Sequence, residues 1–217
     1  AEERKAILKR NADKYQLPLI YVNHAGAQTE LIFDGGSLAM NKNGELISEL
    51  TYFKEENLIV EFRHGDLHAP KSIFQKPTVR IALIHDALVL GIKDYFSKQG
   101  FKKAILGLSG GIDSAVVICL AAEALGAENV KALLMPSSFS SKGSIDDSLQ
   151  LASALGVQHE TIAIQPLYES FLSSLSPAFK GMPFNLTEEN LQARIRGTLL
   201  MAQSNKFGAI LLNRSEE

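Results

Sequence analysis

The chemistry this sequence can do concentrates in eight consecutive residues, Gly107, Leu108, Ser109, Gly110, Gly111, Ile112, Asp113 and Ser114. An apolar strand-like run, KAILGL, ends in them, and an apolar helix-like run, SAVVICLAAEALG, leaves them. A strand-to-helix turn of this composition exposes backbone N–H groups at a helix N-terminus, where partial positive charge favours phosphate. Glycine lets the backbone approach an anion closely, and Ser109 and Ser114 add hydroxyl donors. Asp113 would repel phosphate unless a cation stood between them, so it reads as a magnesium ligand. The plainer alternative is a glycine-rich turn with a Ser/Asp helix cap. No Lys-Ser/Thr pair follows the glycines and no G-x-G-x-x-G spacing is present, which excludes a Walker A loop and a dinucleotide fingerprint.

Other candidates are looser. Asn190 and Arg194 lie four apart in a helical pattern and so share a face, either ligand-binding or simply solvated. Arg196 could cap or pair. Pro136, Ser137 and Ser138 follow a strand and either line a ligand pocket or form a plain turn. The five histidines show no ligand-like spacing, which favours surface or structural roles over metal binding. Cys119 is the single cysteine. Its neighbours Val117, Ile118, Leu120 and Ala121 imply a buried, protonated, inert thiol.

The elements that must position these residues alternate from residue 78 onward. Helices are expected at 78–100, 114–126, 144–156 and 187–208, with strands at KAILGL, VKALLMP, HETIAI and AILLN. Such alternation with apolar strands predicts an α/β fold, a doubly wound parallel sheet covered on both faces. The loops beginning at Ser109, Pro136 and Asn213 should then meet on one rim, beyond the carboxyl ends of the strands. Before residue 63 the chain reads as short β segments after a charged amphipathic helix, with a hairpin turn at Asn43-Gly44, where both residues tolerate positive φ. The polar, proline-bearing stretch at 63–77 reads as a linker.

Composition narrows the classes. With 217 residues, 46% of them hydrophobic, a packed core is within reach and global disorder is excluded. A net charge of −2 without a basic tract argues against nucleic acid as the main partner. One cysteine excludes an internal disulfide framework and fits a reducing, cytoplasmic compartment. No run reaches membrane-spanning length, and no signal peptide is visible. The chain begins without Met and reads as processed or cut.

The hexapeptide at 109–114 resembles the S-G-G-x-D-S pyrophosphate loop of ATP pyrophosphatases, which cleave ATP between the α and β phosphates. Three further stretches, LLMPSSFSSKGSIDDSLQLASALG, EENLQARIRGTLLMAQSNKFG and LLNRSEE, resemble NAD synthetases. GMP synthetases and tRNA-thiolating enzymes share the loop but not NLQARIRG. Upstream, YVNHAGAQTELIFDGGS resembles the nitrilase-like glutaminase domain fused to glutamine-dependent NAD synthetases. The resemblance covers nearly the whole chain. It implies an adenine-nucleotide α-hydrolase-like sheet at 78–217, preceded by the C-terminal β part of a nitrilase-like domain at 1–67 and a linker at 68–77.

The activity it implies is ATP-dependent amidation of deamido-NAD, with ammonia drawn from glutamine. It assigns Gly107 through Ser114 to ATP, and Asn190, Arg194 and Glu216 to deamido-NAD. It assigns Asp113 and Glu216 to Mg2+. ATP and magnesium are the implied cofactors, and a homo-oligomer is expected. No catalytic residue is expected within this chain, because the glutaminase Glu, Lys and Cys would lie upstream of YVNHAG. Ammonia would then be the only nitrogen source open to the fragment. In one departure from the family, Asn213 runs straight into Arg214-Ser215-Glu216, so the family's ATP-contacting threonine is missing. The competing readings are a catalytically dead nucleotide-binding or assembly module, or a GMP synthetase relative.

Overall fold

The structure, a computed structural model, describes residues 2–69, the backbone of 72–73, and residues 80–213. Packing separates the chain into two compact units, Ala1–Tyr95 and Phe96–Glu217.

The first unit opens with helix α1 (Glu2–Tyr15) and continues through strands β1 (Leu19–Tyr21), β2 (Ala25–Gln28), β3 (Leu31–Asp34), β4 (Leu38–Met40) and β5 (Leu46–Glu49). Strands β6 (Glu61–Arg63), β7 (Asp66–His68) and β8 (Ser72–Ile73) follow, then helix α2 (Arg80–Gln99). One sheet has the order β1-β4-β5-β8, and β2-β3 and β6-β7 are separate hairpins. The expected turn between β4 and β5 is present, with Gly44 at φ 72° and its N–H donating to the Asn41 carbonyl at 2.9 Å.

The linker expected at 63–77 is in part structured. Residues 61–68 form a hairpin whose two central residues, His64 and Gly65, are at φ 52° and 78°. That is the geometry a two-residue I′ turn needs, supplied by His-Gly in place of the more readily recognised Asn-Gly. Strand β8, inside the segment read as linker at 68–77, pairs parallel to β5. The division between packing units falls within α2, between Tyr95 and Phe96. On the first unit's side of it, Asp94 accepts a hydrogen bond from the Ala27 N–H at 2.7 Å.

The second unit is the alternating part. Strands β9 (Ala104–Gly107), β10 (Val130–Leu134), β11 (Gln158–Thr161) and β12 (Ile210–Leu211) pair in parallel in the order β11-β10-β9-β12. Helices α3 (Ile112–Leu125), α4 (Lys142–Leu155), α5 (Gln165–Phe179) and α6 (Leu186–Phe207) connect them. Alternation along each strand sends side chains to opposite faces. Ile105 and Leu133 pack with Ile164, Tyr168 and Ile195 of the α5–α6 side. Leu106, Ala132 and Leu134 face the other way and are also buried. Both faces are therefore covered, as the doubly wound reading requires.

Helix α5 has no counterpart in the sequence reading. Pro166 stands in its first turn, where a missing N–H costs nothing, so a residue that looks like a breaker is here part of a start. Cys119 is exposed, contrary to the expectation of burial. Helix α3 is mostly apolar, but its fully buried residues are Ile118 and Ala121. Position 119 lies about 100° around the helix from 118, off the packed face.

Candidate functional site

In the order β11-β10-β9-β12 the first strand of the unit lies between the second and the fourth, so connections depart to opposite sides at β9. A ligand crevice is expected outside the carboxyl ends at this point. A cavity of about 830 Å³ is found there, lined by residues from the ends of β9, β10 and β12 and from the starts of α3 and α4. Ser109, Pro136 and Asn213, which open the three loops expected to converge, all line it.

Gly107, Leu108, Ser109, Asp113 and Ser114 contribute to the wall, whereas Gly110, Gly111 and Ile112 lie outside it. The loop holds its own shape. The Ser109 N–H donates to Ser114 Oγ at 3.2 Å, Ser114 Oγ–H donates to the Gly111 carbonyl at 2.9 Å, and the Gly111 N–H donates to Ser109 Oγ at 3.3 Å. The two hydroxyls expected to donate to a ligand are thus engaged in building the loop. Gly111 caps α3 without any side-chain hydrogen bond, and a helix N-terminus presents N–H groups suited to an anion. Gly110 is required for two reasons. It sits at φ 78°, and a Cβ there would come within 2.6 Å of the Ser144 Cβ on α4. The loop and the start of α4 consequently touch backbone to backbone.

Asp113 is exposed in the first turn of α3 and, among the described residues, is the one carboxylate in the cavity wall. Hard carboxylate oxygen beside a cavity roomy enough for a nucleotide is the donor set magnesium uses when it is shared between protein and nucleotide.

The other sequence candidates divide. Asn190 and Arg194 are both exposed on α6 and do not line the cavity. The arginine that does is Arg196, which sequence reasoning left as a cap or pair. Its Nε donates to the Met135 carbonyl at 3.1 Å and its Nη2 to Ser137 Oγ at 3.4 Å. Residues 194 and 196 are about 200° apart around a helix, so the two arginines face different surroundings. Pro136 lines the wall; Ser137 and Ser138 do not, and the Ser138 N–H instead donates to Gln165 Oε1 at 3.0 Å. The magnesium and deamido-NAD assignment of Glu216 lies outside the described residues.

The sequence reading also missed the far wall, made of Phe139, Ser140, Ser141, Ser144 and Ser148. Ser141 caps α4, accepting from the Ser144 N–H at 3.1 Å. The signal for it was present: serine three residues ahead of serine at the head of a helical pattern, an N-cap arrangement.

The NAD synthase family matches residues 84–217. A glutamine-dependent NAD(+) synthetase of Synechocystis sp. is 48% identical over 98% of this chain and 39% of its own length. One from Acinetobacter baylyi is 42% identical over 99% of this chain and 40% of its own. The chain therefore spans about two fifths of these relatives. Among solved structures, the glutamine-dependent NAD+ synthetase of Acinetobacter baumannii, in complex with adenosine diphosphate, superposes with a TM-score of 0.92 at 41% identity. That match covers 99% of this chain and 41% of the other.

Proposed function

The chain belongs to the NAD synthase family, and from that premise we propose that the protein carrying it converts deamido-NAD to NAD with ATP, drawing ammonia from glutamine. In the first step a nicotinate carboxylate oxygen attacks the α-phosphorus. The bond to the β-phosphate oxygen breaks and pyrophosphate leaves. In the second step the nitrogen of ammonia attacks the acyl carbon, AMP departs with its oxygen, and the nitrogen loses a proton to leave the amide. The protein's part is to hold two polyanions in line and offset their charge.

One observation carries this reading. The Ser109–Ser114 loop opens on a cavity at the strand-order reversal, with uncapped helix N–H groups and Asp113 in the same place. Gly107 through Ser114 would cradle the ATP phosphates. Asp113, with Glu216, would hold magnesium, which supplies charge neutralisation when bound. Pro136 would support the adenosine. Asn190 and Arg194, on the exposed face of α6, would hold deamido-NAD. The resemblance also supports a nitrilase-like glutaminase portion at 1–67, a linker at 68–77, a synthetase portion at 78–217, a homo-oligomer and a cytoplasmic location. No helix among the described residues is long and apolar enough to cross a membrane.

Nucleotide product analysis tests the proposal. Pyrophosphate and AMP should form only when deamido-NAD is present. Formation of ADP and orthophosphate would overturn it.

A further inference from the structure

Among the described residues, the cavity wall contains one cation, Arg196, and one carboxylate, Asp113. Arg196 is half-buried and reaches the wall from α6. Both of its hydrogen-bond partners, the Met135 carbonyl and Ser137 Oγ, are neutral and belong to the segment after β10. No carboxylate among the described residues pairs with it. This is an unusual position for a guanidinium, because burying a charge is costly unless an opposite charge compensates it. If the side chain only tied α6 to the segment after β10, a neutral donor would do the same at lower cost.

The two bonds use Nε and one Nη2 hydrogen, and a guanidinium has five N–H donors in a planar fork. The remaining edge is thereby held in one orientation at the wall. A fixed, incompletely used guanidinium suits a phosphate, whose oxygens accept two parallel N–H bonds. A polyanionic ligand entering beside Asp113 also needs positive charge from the protein, and Arg196 is the wall residue that has it.

We propose that Arg196 is a phosphate-binding residue of this cavity, receiving oxygens of the bound nucleoside triphosphate while Met135 and Ser137 hold the guanidinium in place. The proposal rests on the ATP-dependent reading above and deepens it. It assigns the nucleotide arginine to position 196, on the opposite side of α6 from the pair chosen by sequence spacing.

The test compares ATP with adenosine by calorimetry on the full-length protein. In Arg196→Gln, ATP binding should weaken about 10- to 100-fold, the scale of a charge-assisted contact, while adenosine binding stays within about twofold. Arg196→Lys, which keeps the charge and loses the fork, should fall between. Equal weakening of ATP and adenosine would show a clamp on the pocket wall and overturn the proposal, as would unchanged ATP affinity. A second measurement covers the case of variants that do not fold. In the unmodified protein, dicarbonyl modification of Arg196, mapped by mass spectrometry, should be slowed by ATP and by pyrophosphate but not by adenosine. Protection by adenosine alone would overturn the assignment. The product analysis above keeps the two levels apart. Pyrophosphate release that survives with ATP affinity unchanged in Arg196→Gln defeats the arginine assignment and leaves the function standing.

Discussion

Two arginines, one in each unit, illustrate different uses of charge. In the first unit Arg4 meets both oxygens of Asp34, at 2.9 and 3.0 Å, and stacks over Tyr21 with 5.1 Å to the ring centroid. Burial opposes its charge, but the hydrogen bond and charge of Asp34 outweigh that, and its pKa is raised. In the second unit burial lowers the pKa of Arg196, and no carboxylate among the described residues offsets the effect. The same contrast extends to neighbours. Glu49, nearly fully buried, takes Lys5 at 2.7 Å and the Tyr52 hydroxyl at 2.8 Å. Asp113 instead stands exposed at the cavity. Charges paired inside a unit hold it together, and charges at a cavity wall lie where a ligand can reach them.

The sharpest way to break this comparison is at Asp113. Asp113→Asn in the full-length protein should leave the melting temperature nearly unchanged yet lower ammonia-dependent synthesis about 10²- to 10³-fold, the usual cost of deleting one key electrostatic group. Near-normal turnover would reduce Asp113 to a helix cap.

The mirror experiment is Glu49→Ala. Removing Glu49 takes its charge partner from part-buried Lys5 and an acceptor from the Tyr52 hydroxyl, and about 2 kcal/mol is the expected loss. It should appear as faster hydrogen exchange in the β1-β4-β5 sheet, with ATP affinity unaltered. A matching loss of ATP affinity would mean that the two units do not divide their roles in this way.

Gly110→Ala tests whether the phosphate loop depends on backbone proximity. The positive φ and the clash with Ser144 should cost about 2 kcal/mol and also weaken ATP. An unchanged urea midpoint would contradict the close approach.

The smallest effect is a pH dependence. Burial, and then the bond to Glu49, push the Tyr52 hydroxyl above its ordinary value, so the folded state holds this proton more tightly than the unfolded chain. That stabilisation is complete below a pH of about 10, the ordinary tyrosine value. It is lost progressively above it, at no more than about 1.4 kcal/mol per pH unit. Protection of the first unit's sheet should fall between pH 10 and 11, and the slope should be shallower in Tyr52→Phe. Equal slopes would remove Tyr52 from the account.

Local signals carried much of this protein. The glycines expected to close helices, Gly100, Gly126 and Gly156, all sit at positive φ, because helix termination is decided within a few residues. The parallel sheet and the meeting of Ser109, Pro136 and Asn213 followed from alternation, since a covered parallel sheet puts every strand end on one rim. Where the local signal was weak, the reading failed. His64-Gly65 makes a turn without the usual Asn, and Pro166 starts a helix in place of breaking one.

What the sequence determined by itself was the strand–helix alternation of the second unit and the rim on which the Ser109–Ser114 loop must lie. Tertiary structure alone decided which side of each helix is used. Arg194 and Arg196 differ by two positions and point to opposite sides of α6, and Cys119 and Ile118 differ by one, yet Ile118 is buried and Cys119 exposed. Helix α3 is apolar apart from Asp113, Ser114 and Glu123, so periodicity has little contrast from which to choose a face. The choice falls to whatever packs against it.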